Sequence, residues 1–201
     1  MAFATIRRGA SGDGFFAVPQ EGSSFFISIP QLSFLGLKEG QELTETQFLA
    51  LQAQLDAVRC RAKALAALAA REHSRFELYT KLGQKGFSKA IIVQELDRLE
   101  EEGLLSDSRF ANAFIMARQH RNPEGRIILQ ARLSEHGVAR EVVAEAIERW
   151  FSDEEAVDTA VQLAARKIGR RHGEDERILM ELRKRGFSLT EIRRALAKDS
   201  Q

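Results

Sequence analysis

Three short segments of this 201-residue chain echo one another at intervals of about fifty residues, and that periodicity limits the possible folds more than any other feature. They are Leu82-Gly83-Gln84-Lys85-Gly86-Phe87, Leu133-Ser134-Glu135-His136-Gly137-Val138 and Leu182-Arg183-Lys184-Arg185-Gly186-Phe187, with glycines 51 and 49 residues apart. Each glycine has an apolar residue eight before it (Leu78, Leu129, Ile178), one six after (Ile92, Val143, Ile192) and one ten after (Leu96, Ile147, Leu196). A leucine four before the glycine and an apolar residue after it describe a Schellman stop. The glycine takes positive φ just past the helix, and the two apolar side chains close over it.

A new helix is predicted directly after each stop. Ser88 and Ser188 stand at N-caps, Ser188 and Glu191 at capping-box spacing, and Phe87/Ile92, Val138/Val143 and Phe187/Ile192 at the spacing of a hydrophobic staple. Ala139 replaces the serine in the second copy, which weakens that cap by about 1 kcal/mol. A further helix precedes each turn. It is clearest at Phe110, Ala113, Phe114 and Ala117, and again at Val157, Ala160, Val161, Ala164 and Ile168. The expected fold is therefore mainly all-α: three tandem three-helix, helix-turn-helix-like repeats in an elongated, curved array. Breaks are expected near 104–106 and 151–153, at 122–125 inside the second repeat, and from Gly169 to Gly173 inside the third. The repeats are bounded as 62–105, 106–151 and 152–201.

Residues 1–43 read differently. Glycines 9, 12, 14 and 22 punctuate runs rich in aromatic and β-branched residues, which predicts a small β hairpin or three-strand unit. Thr44 and Gln47 have capping-box spacing and open a linking helix over 44–61, with a break near Arg59 as one option.

The stretch Gly103-Leu104-Leu105-Ser106-Asp107-Ser108-Arg109-Phe110-Ala111, continuing through Phe114, Ile115, Arg118 and Gly125 to the segment 133–138, resembles the RecX family of recombination regulators. The likeness covers about residues 62–197. It departs at Arg132, where the family pattern places an acid before the leucine, and this puts local salt bridging in question. The resemblance implies three tandem three-helix repeats that bind the RecA recombinase filament on single-stranded DNA and repress its ATPase, strand-exchange and coprotease activities. It also implies a family motif, mainly structural, that includes Asp107, Arg109, Phe110, Ala111, Gly86, Gly137 and Gly186.

Charge points to where such a partner would be met. Residues 1–60 hold four Lys/Arg against six Asp/Glu, whereas 166–194 hold ten against five. Arg166/Arg170 and Lys167/Arg171 stack like charges at i, i+4 spacing, a modest cost that suggests a use. With Arg177, Arg183, Lys184, Arg185, Arg193 and Arg194 they form the leading candidate contact surface, and Arg118, Arg121, Arg126 and Arg132 a second. The alternative is an ordinary solvated face. Asp107 is either a binding residue or, with Ser106, the cap of the helix carrying Phe110. Arg109 either meets a partner or pairs with Asp107 or Glu102. Trp150 either stacks on a base or packs between repeats.

Catalysis and metal binding have no sequence support. The four histidines are scattered and Cys60 is alone, so neither a disulfide nor a zinc site is expected. Nucleophile-elbow, P-loop and dinucleotide motifs are absent. No cofactor is expected. No apolar run is long enough to span a bilayer, and a cytoplasmic monomer is anticipated. The competing reading is a sequence-independent DNA-binding helical module, because the helix starts after Gly86 and Gly137 lack the side chains that read bases.

Overall fold

The computed structural model describes residues 2–172 and 175–198, and only the backbone of 170–172 and 175. The chain divides into two compact units, residues 1–63 with 86–95 and residues 64–85 with 96–201.

The first unit contains strands β1 (Ala4–Arg8), β2 (Gly14–Pro19), β3 (Phe25–Ser28) and β4 (Glu42–Leu43), in the antiparallel order β3-β2-β1-β4. Alternation along the strands sends Ala4, Ile6, Ala17, Phe25, Ile27 and Leu43 to one face. There they bury against Phe48, Leu51 and Leu55 of helix α2 (Glu45–Ala70), which follow helical spacing. The expected two or three strands are thus four. A short helix α1 (Ile29–Phe34) intervenes, started by a Ser28/Gln31 capping box with proline in its first turn. Six residues at the end of an aromatic and β-branched run are too few to show a helical period. The Thr44/Gln47 box forms as expected, with the Gln47 N–H donating to Thr44 Oγ1 at 3.3 Å. The optional break near Arg59 does not occur, since α2 is continuous. Its Arg59 pairs with Asp56 and donates to the Phe26 carbonyl at 2.7 Å. Cys60 is buried; desolvation first, then the nearby Glu95 and Asp56 carboxylates, push its thiol up to about 11, so it stays protonated.

The remaining helices are α3 (Arg75–Gly83), α4 (Lys89–Glu101), α5 (Asp107–Arg121), α6 (Arg126–Glu135), α7 (Arg140–Phe151), α8 (Glu154–His172), α9 (Asp175–Lys184) and α10 (Leu189–Lys198). The glycines at the stops have φ of 87° (Gly86), 73° (Gly137) and 88° (Gly186). The Val138 N–H donates to the Leu133 carbonyl and the Gly137 N–H to that of Ser134, at 3.2 and 2.9 Å; Phe187 and Gly186 do the same to Leu182 and Arg183. The same pair of bonds forms at Gly103, φ 69°, ending α4, and at Gly36, φ 64°, ending α1, whereas α3 closes before Gly86 with the Lys85 N–H donating to the Leu82 carbonyl at 3.0 Å. Ser188 and Glu191 close their capping box, and Ala139 makes no side-chain cap.

Two expectations need correction. In α5 the buried residues are Phe110, Ala111, Ile115 and Gln119, while Phe114 packs at the rim and Ala113 and Ala117 are exposed. The stripe is rotated because Gln119, although polar, is held inside by Glu124. In α8 the apolar stripe Val157, Ala160, Val161, Ala164 and Ile168 is buried as expected, but the helix continues through Gly169 to His172. Gly173, the far end of the expected break, lies outside the described residues.

Within the second unit one contact recurs between successive repeats. The helix that precedes each glycine turn begins against the glycine turn of the next repeat. Ser74, N-cap of α3, accepts from the Glu77 N–H and donates its hydroxyl to the His136 carbonyl at 2.7 Å. Fifty-one residues on, Gly125, N-cap of α6, donates its N–H to the Arg185 carbonyl at 2.8 Å. Both acceptors immediately precede the positive-φ glycine. The approach is close: a Cβ at Gly137 would lie 2.4 Å from Phe76 Cβ, and one at Gly125 1.9 Å from the Gly186 carbonyl oxygen.

Gly125→Ala is therefore expected to cost about 3 kcal/mol or more, above the usual overpacking range because both clashing groups are backbone. A Cβ at Gly86 meets nothing within 4 Å, so Gly86→Ala should cost only its positive φ, about 1–2 kcal/mol. Urea denaturation of both variants checks the ranking; equal losses would refute the docking role of Gly125.

Candidate functional site

The family-motif residues are joints of the helical frame. Ser106 caps α5, accepting from the Arg109 N–H. Asp107 Oδ1 instead accepts from the Arg75 N–H at 2.8 Å, satisfying an orphan donor in the first turn of α3. Arg109 pairs with Glu72, not with Asp107, and its two terminal nitrogens donate to the carbonyls of Gly103 and Leu104 just past α4, each at 2.9 Å. Arg75, not anticipated from the sequence, pairs with Asp97 and Glu100. Phe110, Ala113, Phe114 and Ala117 line one side of a surface groove of about 390 Å³ that also includes His136. His136 Nδ1 lies 2.9 Å from Glu77, with its ring edge-on to Phe110 and Phe114. His73 is buried beside the Arg71 carbonyl, and desolvation lowers its pKa, which favours the neutral ring.

The structure separates the candidate basic residues into two kinds. Arg118 and Arg132 converge on one buried carboxylate, Glu124, whose backbone is held at both ends by the Gln119 amide. Arg132 thus supplies a local salt bridge by a route the family pattern does not suggest. Arg126 pairs with Glu148 at 2.6 Å and lies 4.6 Å over the Phe151 ring. Lys167 donates to the Arg121 carbonyl, Arg185 to Asn122 Oδ1 at 2.9 Å, and Lys184 pairs with Glu181. Arg194 and Lys198 each meet Asp158 at 2.7 Å, and Arg194 also Glu154. By contrast, Arg121, Arg177, Arg183 and Arg193 are exposed, and Arg166 is exposed on α8. The side chains of Arg170 and Arg171 lie outside the described residues. Trp150 is partly buried in the core of the second and third repeats, edge-on to Phe151.

Sequence reasoning missed Glu124 and Asp158, the buried carboxylates among the described residues of the second unit. For Asp158 the available signal is an acid directly beside Val157 in the apolar stripe of α8; Glu124 sits in a Pro-Glu-Gly turn that gives no hint of burial. Among the described residues no group of three or more His, Cys, Asp or Glu could hold a metal ion, and no helix is long and apolar enough to cross a membrane.

Comparison with known proteins agrees with this geometry. The RecX first three-helix domain matches residues 60–99 and the second matches 106–147. "Regulatory protein RecX" of Chlorobium phaeobacteroides is 32% identical over 133 residues, 66% of this chain and 88% of that protein. That of Chromohalobacter salexigens is 38% identical over 137 residues, 67% and 88% of the two chains. The crystal structure of a regulatory protein RecX superposes with a TM-score of 0.66 at 17% identity, covering 95% of this chain and 97% of that one, a likeness of fold.

Asp158 yields a pH prediction. Burial alone would raise its carboxyl, but hydrogen bonds from Lys198 and Arg194, and their charges, outweigh it and hold the group below the usual carboxylate range. A depressed folded pKa contributes stability above the unfolded value, near 4, that is lost as pH falls through the folded one. Asp158→Asn should therefore cost about 1–3 kcal/mol at pH 7, and its deficit against the parent should shrink below about pH 4. Denaturation at several pH values tests this; a deficit that does not change with pH would refute it.

Proposed function

The chain belongs to the RecX family of regulatory proteins, and from that premise we propose that it binds the RecA filament on single-stranded DNA and lowers its ATPase, strand-exchange and coprotease activities. Family membership supplies the target. The observation that supports the mode of contact is the sorting of the arginines: after Arg118, Arg126, Arg132 and Arg194 are engaged by carboxylates, Arg121, Arg177, Arg183 and Arg193 remain exposed on α5, α9 and α10. Exposed guanidinium groups lose little by moving from water to phosphate or carboxylate, and they make the contact salt-sensitive. In this reading Asp107, Arg109 and the three turn glycines hold the frame. The protein acts in the cytoplasm as a monomer of three repeats, bounded 62–105, 106–151 and 152–201.

The test is single-stranded-DNA-dependent ATP hydrolysis by the cognate RecA, titrated with this protein and with a variant carrying Arg177→Ala, Arg183→Ala and Arg193→Ala. Inhibition well below one regulator per recombinase is expected, weakened several-fold in the variant with its circular dichroism unchanged. Unaltered hydrolysis together with no filament association would overturn the regulator reading and leave a sequence-independent DNA-binding module.

A further inference from the structure

The N-terminal sheet carries a feature that neither the repeats nor the arginines of the helices explain. Arg7 pairs with Phe16 across β1 and β2, and Phe16 with Phe26 across β2 and β3. Direct cross-strand partners emerge on the same face, so Arg7, Phe16 and Phe26 form one row on the face opposite Ile6, Ala17 and Ile27. The uncovered face of an antiparallel sheet is ordinarily polar, yet Phe26 is 37% exposed here. The two rings stand edge to face, centroids 5.4 Å apart at 67°. Glycine lies beneath both: a Cβ at Gly14 would be 2.6 Å from the Phe26 ring, and one at Gly9 3.1 Å from that of Phe16. The Phe26 ring therefore lies over Gly14 as a platform, and Phe16, its plane turned 67° from that of Phe26, stands against it.

We propose that this outer face is a stacking site for a base of single-stranded DNA, with Phe26 as the platform, Phe16 as its wall and Arg7 as the phosphate contact. The proposal deepens the regulator reading by giving the DNA within the filament a place on this protein. Aromatic side chains on an open sheet face with an arginine in line suit an unpaired nucleotide, because every base has a π-face and its phosphate follows within one residue's reach. Duplex DNA keeps its bases stacked and hides them from such a row. An apolar peptide would leave Arg7 without a counter-charge. Glu42 is the acid on the same face. It pairs in register with Thr5, one row away from Arg7, and confines the favourable path for a phosphate to the Arg7 end.

Binding is read by fluorescence anisotropy of a labelled oligothymidylate of about 16 nucleotides and of an abasic chain of equal length, without recombinase. Phe26→Leu keeps an apolar side chain and should weaken oligothymidylate binding at least about fivefold while leaving the abasic chain unaffected. Arg7→Gln should flatten the salt dependence for both. Photocrosslinking of the unmodified protein to 5-iododeoxyuridine DNA should label the segment 14–28, which needs no variant to fold; Phe16→Leu is the second variant should Phe26→Leu lose its circular dichroism. Equal affinity of parent and Phe26→Leu for oligothymidylate, or crosslinks confined to the helical repeats, would overturn the stacking site. Because filament ATPase is measured separately, inhibition that persists alongside that result removes this site alone, whereas loss of inhibition by the parent protein removes the regulator reading.

Discussion

The helical part of this protein depends on one seating used twice: a helix N-terminus set against the glycine turn of the following repeat. A helix start carries unsatisfied N–H groups and a turn carries carbonyls left over from the preceding helix. Setting the first against the second satisfies both without a long side chain. The Ser74 hydroxyl bridges the first seat and the Gly125 N–H makes the second directly. The glycines thus have two duties. Positive φ ends the helix, and the missing Cβ lets the next backbone approach. Gly86, which meets nothing within 4 Å, keeps only the first.

Electrostatics in the second unit follows from that frame. Close seating of the helix ends buries the connection that carries Glu124, and packing of α8 buries Asp158 within its apolar stripe. A buried carboxylate is tolerated only when its lone pairs are taken up, and the nearest donors are arginines and lysines of neighbouring helices. Arg118 and Arg132 are drawn to Glu124, and Arg194 and Lys198 to Asp158. A count of basic residues along the sequence therefore overstates the cation available to a partner. What remains exposed and outside those ion pairs is a smaller set.

This explains which parts of the molecule were legible in the sequence. The Schellman stops, their glycines, the Ser188/Glu191 box and the α8 stripe involve residues within one or two helical turns of each other, and spacing alone reveals them. Arg75, Asp107 and Arg109 act across 22 to 37 residues, where spacing carries no signal; Asp107 reads as a local cap yet caps a different helix. The α5 face was misplaced for the same reason, because Gln119 is interior only through its bonds to Glu124. The fourth strand, two residues long, exists only as a partner for β1, so nothing in Glu42-Leu43 could announce it.

The division of labour between backbone and side chain bears on how a regulator of this kind can be built. Where repeats are held by helix ends and glycine turns, the seat constrains a few positions: the N-cap, the glycine and the residue before it, whose carbonyl is used but whose side chain is not. His136 and Arg185 occupy that last position in successive repeats with unrelated side chains, one against Glu77 and one on Asn122. The outer helix faces are then free to carry whatever charge a partner demands without disturbing the frame. The exposed arginines sit on such faces, so removing them tests recognition without touching what holds the repeats together.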